Sequence, residues 1–271
     1  MKNWVCRQTV RLKLRNMKDI ITKNGIENLL NSAIPTEVYE SVGSTNTLLK
    51  QRAKNGASSP LLLVASHQSE GRGRMGRCFF SPDNSGIYMS LLLKPDLTPD
   101  KLTLITTAAA VAVCRAIEQL TPQKPTIKWV NDVYIHGRKV CGILTEGVFL
   151  SKSAQNNYAV LGIGLNVYPP QNGFPDEIQS IAGYITDNIQ PDFKNKLIAT
   201  IINNFFKIWQ TDFAPEYKER LFILGKEIKV ISPVSTRNAI ALDIDNMCRL
   251  KVRYDDGTEE MLSSGEISIR V

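Results

Sequence analysis

The segment richest in chemical possibility is Gly71-Arg72-Gly73-Arg74-Met75-Gly76-Arg77, in which three arginines alternate with three glycines. Guanidinium groups fork onto phosphate and carboxylate oxygens, while glycines let the backbone approach a ligand and let a loop move. Such a loop can stay open when empty and close over an anion, expelling water. The plainer alternative is a solvated basic loop. The glycines also fit G-x-G-x-x-G, but a dinucleotide site requires a helix directly after the loop to receive the pyrophosphate. Here Cys78-Phe79-Phe80 and a Pro82–Gly86 turn lead to a strand instead. A kinase glycine loop does lie between strands, yet no HRD or DFG element follows.

Three more groups carry polar residues at suggestive places. Lys128-Trp129-Val130-Asn131-Asp132, followed by Gly137-Arg138-Lys139-Val140-Cys141-Gly142-Ile143-Leu144, sets an Asn-Asp pair at the end of one buried strand and a lysine at the start of the next. Asp132 could neutralise a loop arginine or hold a cation, and Lys139 could meet a substrate carboxylate; an ordinary hairpin with solvated ends would look the same. Gly162-Ile163-Gly164-Leu165-Asn166 is a strand with two glycines, the mark of a bulge or of close approach by ligand or backbone. Gly43-Ser44-Thr45-Asn46 precedes a helix that Ser44 or Thr45 would cap. No Ser-His-Asp pattern stands out, and His67 and His136, the only histidines, receive no role.

The elements that must position these groups follow from local pattern. Ile26–Ala33 is a short amphipathic stretch ended by Pro35, and Glu37–Glu40 reads as a strand. A helix over Thr47–Lys54 stops at Gly56, and Leu61–His67 and Gly86–Lys94 read as buried strands. Thr98-Pro99-Asp100 starts a buried helix that runs to about Leu120. Strands are expected at Thr126–Val130, Val140–Val148 and Tyr158–Val167, with turns at Asn131-Asp132 and His136-Gly137. Helices are expected at about Pro191–Phe213 and Pro215–Leu224. After Gly225 come five short alternating strands, Glu227–Ile231, Ala239–Ile244, Cys248–Tyr254, Glu259–Leu262 and Glu266–Val271, with a hairpin signal at Asp256-Gly257. The expected organisation is α+β: residues 1–34 as an arm and short helix, 35–224 as a mixed sheet with helices, and 225–271 as a small barrel.

Composition narrows the function classes. The chain has 271 residues, 43% hydrophobic and 22% charged, enough for a sizeable core and incompatible with wholesale disorder. The longest apolar run, around Leu104–Cys114, is too short to span a bilayer, and no secretory signal opens the chain. Five scattered cysteines (Cys6, Cys78, Cys114, Cys141, Cys248) without a CxxC fit neither a disulfide framework nor a zinc site, so a reducing cytosol is the expected compartment. The net charge is +7, but six basic residues from Lys2 to Lys18 precede the first acid, Asp19, leaving only +1 for the rest. Nucleic-acid binding would have to reside in that short arm, which reads as flexible, as a transit-like segment, or as sequence upstream of a start at Met17.

Taken together, and in this order along the chain, the four groups resemble those of the biotin protein ligases, from about Glu37 to the C-terminus. The resemblance implies a mixed-sheet catalytic domain of the class II aminoacyl-tRNA synthetase and lipoate ligase type, plus an SH3-like barrel. It implies that biotin and MgATP give biotinyl-5′-adenylate and pyrophosphate, and that a lysine of a biotin carboxyl carrier domain of a biotin-dependent carboxylase then takes the biotinyl group. On this reading Ser44, Thr45, Asn46 and Gln68 hold the biotin ring. Gly71, Arg72, Gly73 and Arg74 close over the biotin carboxylate and the adenylate phosphate. Lys139 contacts the carboxylate, and Gly142 and Gly164 leave room for the ligand. Arg77, Asn131 and Asn166 lie near the nucleotide, and Asp132 steadies Arg74. The catalytic set is Arg72, Arg74, Lys139 and Asp132, with the ligands of Mg2+ unassigned. Met75 stands where some relatives carry another arginine. The region before Glu37 is too short for the winged helix-turn-helix of the repressor-type relatives, so sequence-specific DNA binding is not expected. No membrane partner is expected either, and monomer and homodimer both stay open.

Overall fold

The alternation of side chains along Leu61–Gln68 explains the architecture. In the computed structural model, which describes residues 19–94, 99–148, 157–232, 235–263 and 265–269, Leu62 and Val64 point into one large core and Leu61 and Leu63 into a second, smaller cluster. A strand with both faces covered reads as a continuous apolar run, which is what this segment is.

The chain enters through α1 (Lys23–Glu27) and β1 (Thr36–Val42). Next come α2 (Thr45–Lys54), β2 (Leu61–Gln68) and β3 (Gly86–Leu93), then the long α3 (Pro99–Leu120). Four strands follow: β4 (Thr126–Lys128), β5 (Asp132–Ile135), β6 (Arg138–Val148) and β7 (Tyr158–Asn166). A short α4 (Asp176–Gln179) precedes α5 (Phe193–Ile208) and α6 (Ala214–Glu219). The last part is β8 (Glu227–Ile231), β9 (Thr236–Ile244), β10 (Leu250–Tyr254), β11 (Glu259–Leu262) and β12 (Glu266–Ile269). The seven-stranded sheet runs β1-β2-β3-β7-β6-β5-β4, with β1 parallel to β2 and every other pair antiparallel. The five-stranded sheet runs β11-β10-β9-β8-β12, wholly antiparallel. This is the expected α+β arrangement of a mixed sheet followed by a small all-β unit.

Helix α3 packs on one face of the large sheet with α5 against it, and α2 packs on the other face. By length and composition Lys101–Leu120 could cross a membrane, contrary to the expectation that no segment reaches that length. Its alanine-rich middle, residues 108–112, is fully buried in the core instead. Asp132, expected in a turn, begins β5 (Asp132–Ile135), a strand not expected between the two turns: Val133 and Ile135 alternate inward with too few residues to register as a strand pattern. Both late helices are shorter than expected. The basic residues Lys2 to Lys18, the capping Thr98 and Val271 lie outside the described residues. The chain from Asp19 onward is built into the fold. The Asp19 carboxylate accepts from Tyr168 Oη (2.7 Å) and from the Lys194 backbone N–H (2.9 Å), so it caps α5 from 175 residues away in sequence.

Candidate active site

The α2 face of the sheet changes character along its strands. Beneath α2 it is apolar, with Leu63, Leu92 and Val160. Two and four residues further along the same face, cross-strand register sets Ser90 beside Gly162 and aligns Tyr88, Gly164, Gly142, Asp132 and Lys128 in a row. Two adjacent glycines in that row leave a notch, and beyond the helix N-terminus the notch deepens into a cleft of about 960 Å3 out to its mouth.

Ser44 caps α2 with its hydroxyl facing Thr47 N–H, as expected, and the first turn of the helix delivers Thr45 and Asn46 to the cleft. These side chains are held by an unbroken polar chain. Thr45 donates to Gln68 Oε1 from both N–H (2.9 Å) and Oγ1 (3.0 Å), and Gln68 Nε2 donates to Ser81 (3.0 Å). The fully buried Ser90 bridges Thr45 Oγ1 (2.8 Å) and Asn46 Oδ1 (2.6 Å). A side chain at Gly162 would come within 2.2 Å of Asn46 Oδ1, so only glycine lets Asn46 lie flat against β7.

The arginine-glycine segment is a folded hairpin. Gly73 N–H donates to the Arg77 carbonyl (2.7 Å), Phe79 N–H donates to the Gly71 carbonyl (2.9 Å), and a single bridge pairs Arg72 with Cys78. Met75 turns the tip at φ 54°, a left-handed conformation usually left to glycine or asparagine. Arg72, Gly73, Arg74 and Arg77 all line the cleft. Arg74 donates to Asn131 Oδ1 (3.2 Å), and Asn131 in turn donates to the Ile143 carbonyl (3.0 Å). Arg72 meets Glu146 at 3.3 Å. Across the cleft Lys139 pairs with Asp132 at 2.7 Å, so the carboxylate expected to steady Arg74 is engaged by the lysine.

Gly142 and Gly164 do make room, and the ring of Phe79 occupies it: a methyl group at Gly164 would lie 2.6 Å from that ring, and one at Gly142 3.1 Å from it. Gly71 and Asn166 are outside the cleft wall. Gly71 is wedged against the Phe79 carbonyl and Ser81, and Asn166 donates to the Gly183 carbonyl (2.9 Å) in a buried contact. The expected residues Ser44, Thr45, Asn46, Gln68, Arg72, Gly73, Arg74, Arg77, Asn131, Asp132, Lys139, Gly142 and Gly164 are brought together.

Sequence reasoning passed over Phe79 and the barrel residues Gly265 and Ile267, which line the wall, and Ser90 and Glu146, which hold Asn46 from behind it. Glu146 lies two positions beyond Leu144 on the same strand face, so the period of two was a usable signal. Nothing in the local pattern could have brought Gly265 across from the other sheet.

The whole of this site falls within, or at the ends of, regions matched by family models. Residues 38–166 match the Biotin/lipoate A/B protein ligase family, and residues 223–270 match the Biotin protein ligase C terminal domain. The chain is 40% identical over 144 residues to the bifunctional ligase/repressor BirA of Bacillus subtilis, a match spanning 53% of this chain but only 44% of that protein. It is 30% identical over 242 residues to the biotin--[acetyl-CoA-carboxylase] ligase of Mycobacterium tuberculosis, covering 85% of this chain and 87% of that one. Among solved structures, the biotin protein ligase from Aquifex aeolicus in complex with biotin and ATP superposes with a TM-score of 0.71 at 27% identity, over 87% of this chain and 98% of that one. With a ligase matched along nearly its whole length, and both family regions folded around a single cleft, this chain belongs to the biotin protein ligase family.

Proposed function

We propose that the protein activates biotin with ATP and transfers it to a lysine of a biotin carboxyl carrier domain of a biotin-dependent carboxylase. The observation that carries this reading is that a cationic hairpin and an uncharged hydrogen-bonding pocket share one cleft. Thr45, Asn46 and Gln68 offer both donors and acceptors without net charge, which suits a cyclic urea. Arg72, Arg74 and Lys139 supply positive charge further along the same wall. In the first step a biotin carboxylate oxygen attacks the α-phosphorus of ATP and pyrophosphate leaves with the bonding electrons. In the second the carrier lysine amine attacks the acyl carbon, AMP departs, and the amine gives up its proton as the amide forms. The arginines and Lys139 would hold two mutually repelling anions together and follow charge onto the leaving group, so no covalent enzyme intermediate is needed. The hairpin would shield the adenylate from water between steps.

Among the described residues no group of three His, Cys, Asp or Glu is placed to hold a metal ion. Asp132 is the carboxylate on the cleft wall. That donor set fits a Mg2+ that arrives on the ATP phosphates, keeps water ligands, and takes at most Asp132 from the protein. The free thiols of Cys78, Cys114, Cys141 and Cys248 suit a reducing cytosol as the working compartment.

Biotin-dependent exchange of labelled pyrophosphate into ATP tests the first step, and repetition with an acceptor carrier domain tests the second. A thermal shift with lipoate exceeding that with biotin would overturn the choice of acid.

A further inference from the structure

The carboxylate of Glu146, just behind the cleft wall, contacts Asn46 of the uncharged pocket and Arg72 of the hairpin. Its Oε2 accepts from Asn46 Nδ2 at 2.9 Å, and its Oε1 accepts from Lys50 Nζ at 2.9 Å and meets Arg72 at 3.3 Å. Asn46 is pinned on its other side by Ser90 (2.6 Å) and shares its amide with the Leu144 carbonyl (3.2 Å). Burial alone would raise the Glu146 carboxyl, but hydrogen bonds from Lys50 and Asn46 and the charges of Lys50 and Arg72 outweigh it and hold it below the ordinary range. The group is therefore a permanent anion beside a cleft meant for anions, which is unfavourable unless it organises the cations around it. Its position allows that. Arg72 lines the cleft while engaging Glu146 through one terminal nitrogen, which leaves guanidinium N–H groups for a bound acid. Lys50, on the second turn of α2, neutralises the surplus charge from outside the cleft.

We propose that Glu146 is a positioning residue that couples recognition of the biotin ring to placement of the hairpin arginine. It holds Asn46 in the orientation that reads the ring and Arg72 where it meets the acid group, so both contacts depend on one carboxylate. This rests on the proposed function, and it adds a prediction which that function does not make: the damage from removing this charge falls on biotin and spares ATP.

The test uses the full chain and the pyrophosphate-exchange assay. Glu146→Gln keeps the shape but loses the charge; Glu146→Asp keeps the charge but cannot span Asn46 and Arg72 together. We expect each to raise the KM for biotin by about tenfold to a hundredfold. The KM for ATP should stay within about twofold, and kcat should fall far less than the KM rises. Lys50→Met, which leaves both cleft contacts in place, should shift the biotin KM much less than either. Equal weakening of biotin and ATP would overturn the proposal, as would an unchanged biotin KM in a folded variant, or unfolding of both Glu146 variants. Absence of biotin-dependent exchange in the unmutated protein would instead overturn the proposed function itself.

Discussion

At the scale of single residues, Lys139 is the side chain from which most is asked. It stands opposite the hairpin, 2.7 Å from Asp132, near the start of β6. Lys139→Ala removes a cation from the path of the attacking carboxylate. It should lower the rate of adenylate formation by on the order of 10²–10³, the usual cost of losing one group aimed at developing charge. Melting temperature should move little, because the pair is partly solvated. A loss of activity that merely tracked loss of folded protein would contradict the role. Asn166 is the contrasting case. The family resemblance placed it near the nucleotide, but its amide donates to the Gly183 carbonyl, tying β7 to the segment after α4. A polar residue next to a glycine-rich strand looks the same in sequence whether it serves ligand or backbone.

At the scale of elements, the hairpin is a folded unit with its own cross-strand hydrogen bonds. It is attached to the body through Gly71 at its base, Arg72 on Glu146 and Arg74 on Asn131. Arg74→Gly severs the last of these and removes a charge that, on the proposed function, faces the acyl phosphate. The fold should survive while adenylate escapes, so proteins other than the carrier become biotinylated; the measurement is the fraction of intermediate released before acceptor is added, and full retention would count against a lid.

A second inter-element device joins α3 to α6. Arg115 and Arg220 both converge on Glu216, and Arg220 also forks onto Glu118 at 2.8 and 2.9 Å. Burial would raise the Glu216 carboxyl, yet the two guanidinium groups hold it below its ordinary value of 4.5. A depressed folded value means that this stabilisation is complete above the ordinary glutamate range and disappears as pH falls through the folded value. Glu216→Gln should therefore destabilise the protein near neutrality, with the difference from wild type shrinking below about pH 4; denaturant melts at several pH values measure it.

Elements were legible where local cause dominates. The Ser44 cap, the apolar β2 and β3 and the Asp256-Gly257 hairpin all come from neighbours in sequence. Register was not, because pairing Gly142 with Gly164 joins residues far apart in the chain, and that pairing turns two separate glycines into one notch filled by Phe79. The motifs thus exposed most of the cleft's inventory but neither its floor plan nor Glu146.

At the scale of the whole molecule, the two sheets are not independent. Trp129 Nε1 donates to the Cys248 carbonyl at 2.9 Å in a fully buried contact, and Tyr217 Oη holds the neighbouring Val130 carbonyl at 3.0 Å. The Lys128–Asp132 segment is thereby fixed from the barrel and from α6 at once. Trp129→Phe would leave the Cys248 carbonyl buried without its donor, costing about 1–3 kcal/mol. It should also weaken pyrophosphate exchange more than that stability loss explains, because Asn131 and Asp132 are next in the chain. Exchange falling only in proportion to unfolded protein would show the barrel to be a passive neighbour.

The wall contributed by Gly265 and Ile267 also bears on how the enzyme comes into being. A ribosome delivers the last strand of the large sheet at Asn166 well before it reaches β12. A nascent chain can thus own a finished platform and a full set of arginines while one side of its chamber is still being translated. The chamber is closed only once β12 has been made, and a bulky appendage fused just beyond β12 would be tethered beside the chamber it helps to enclose.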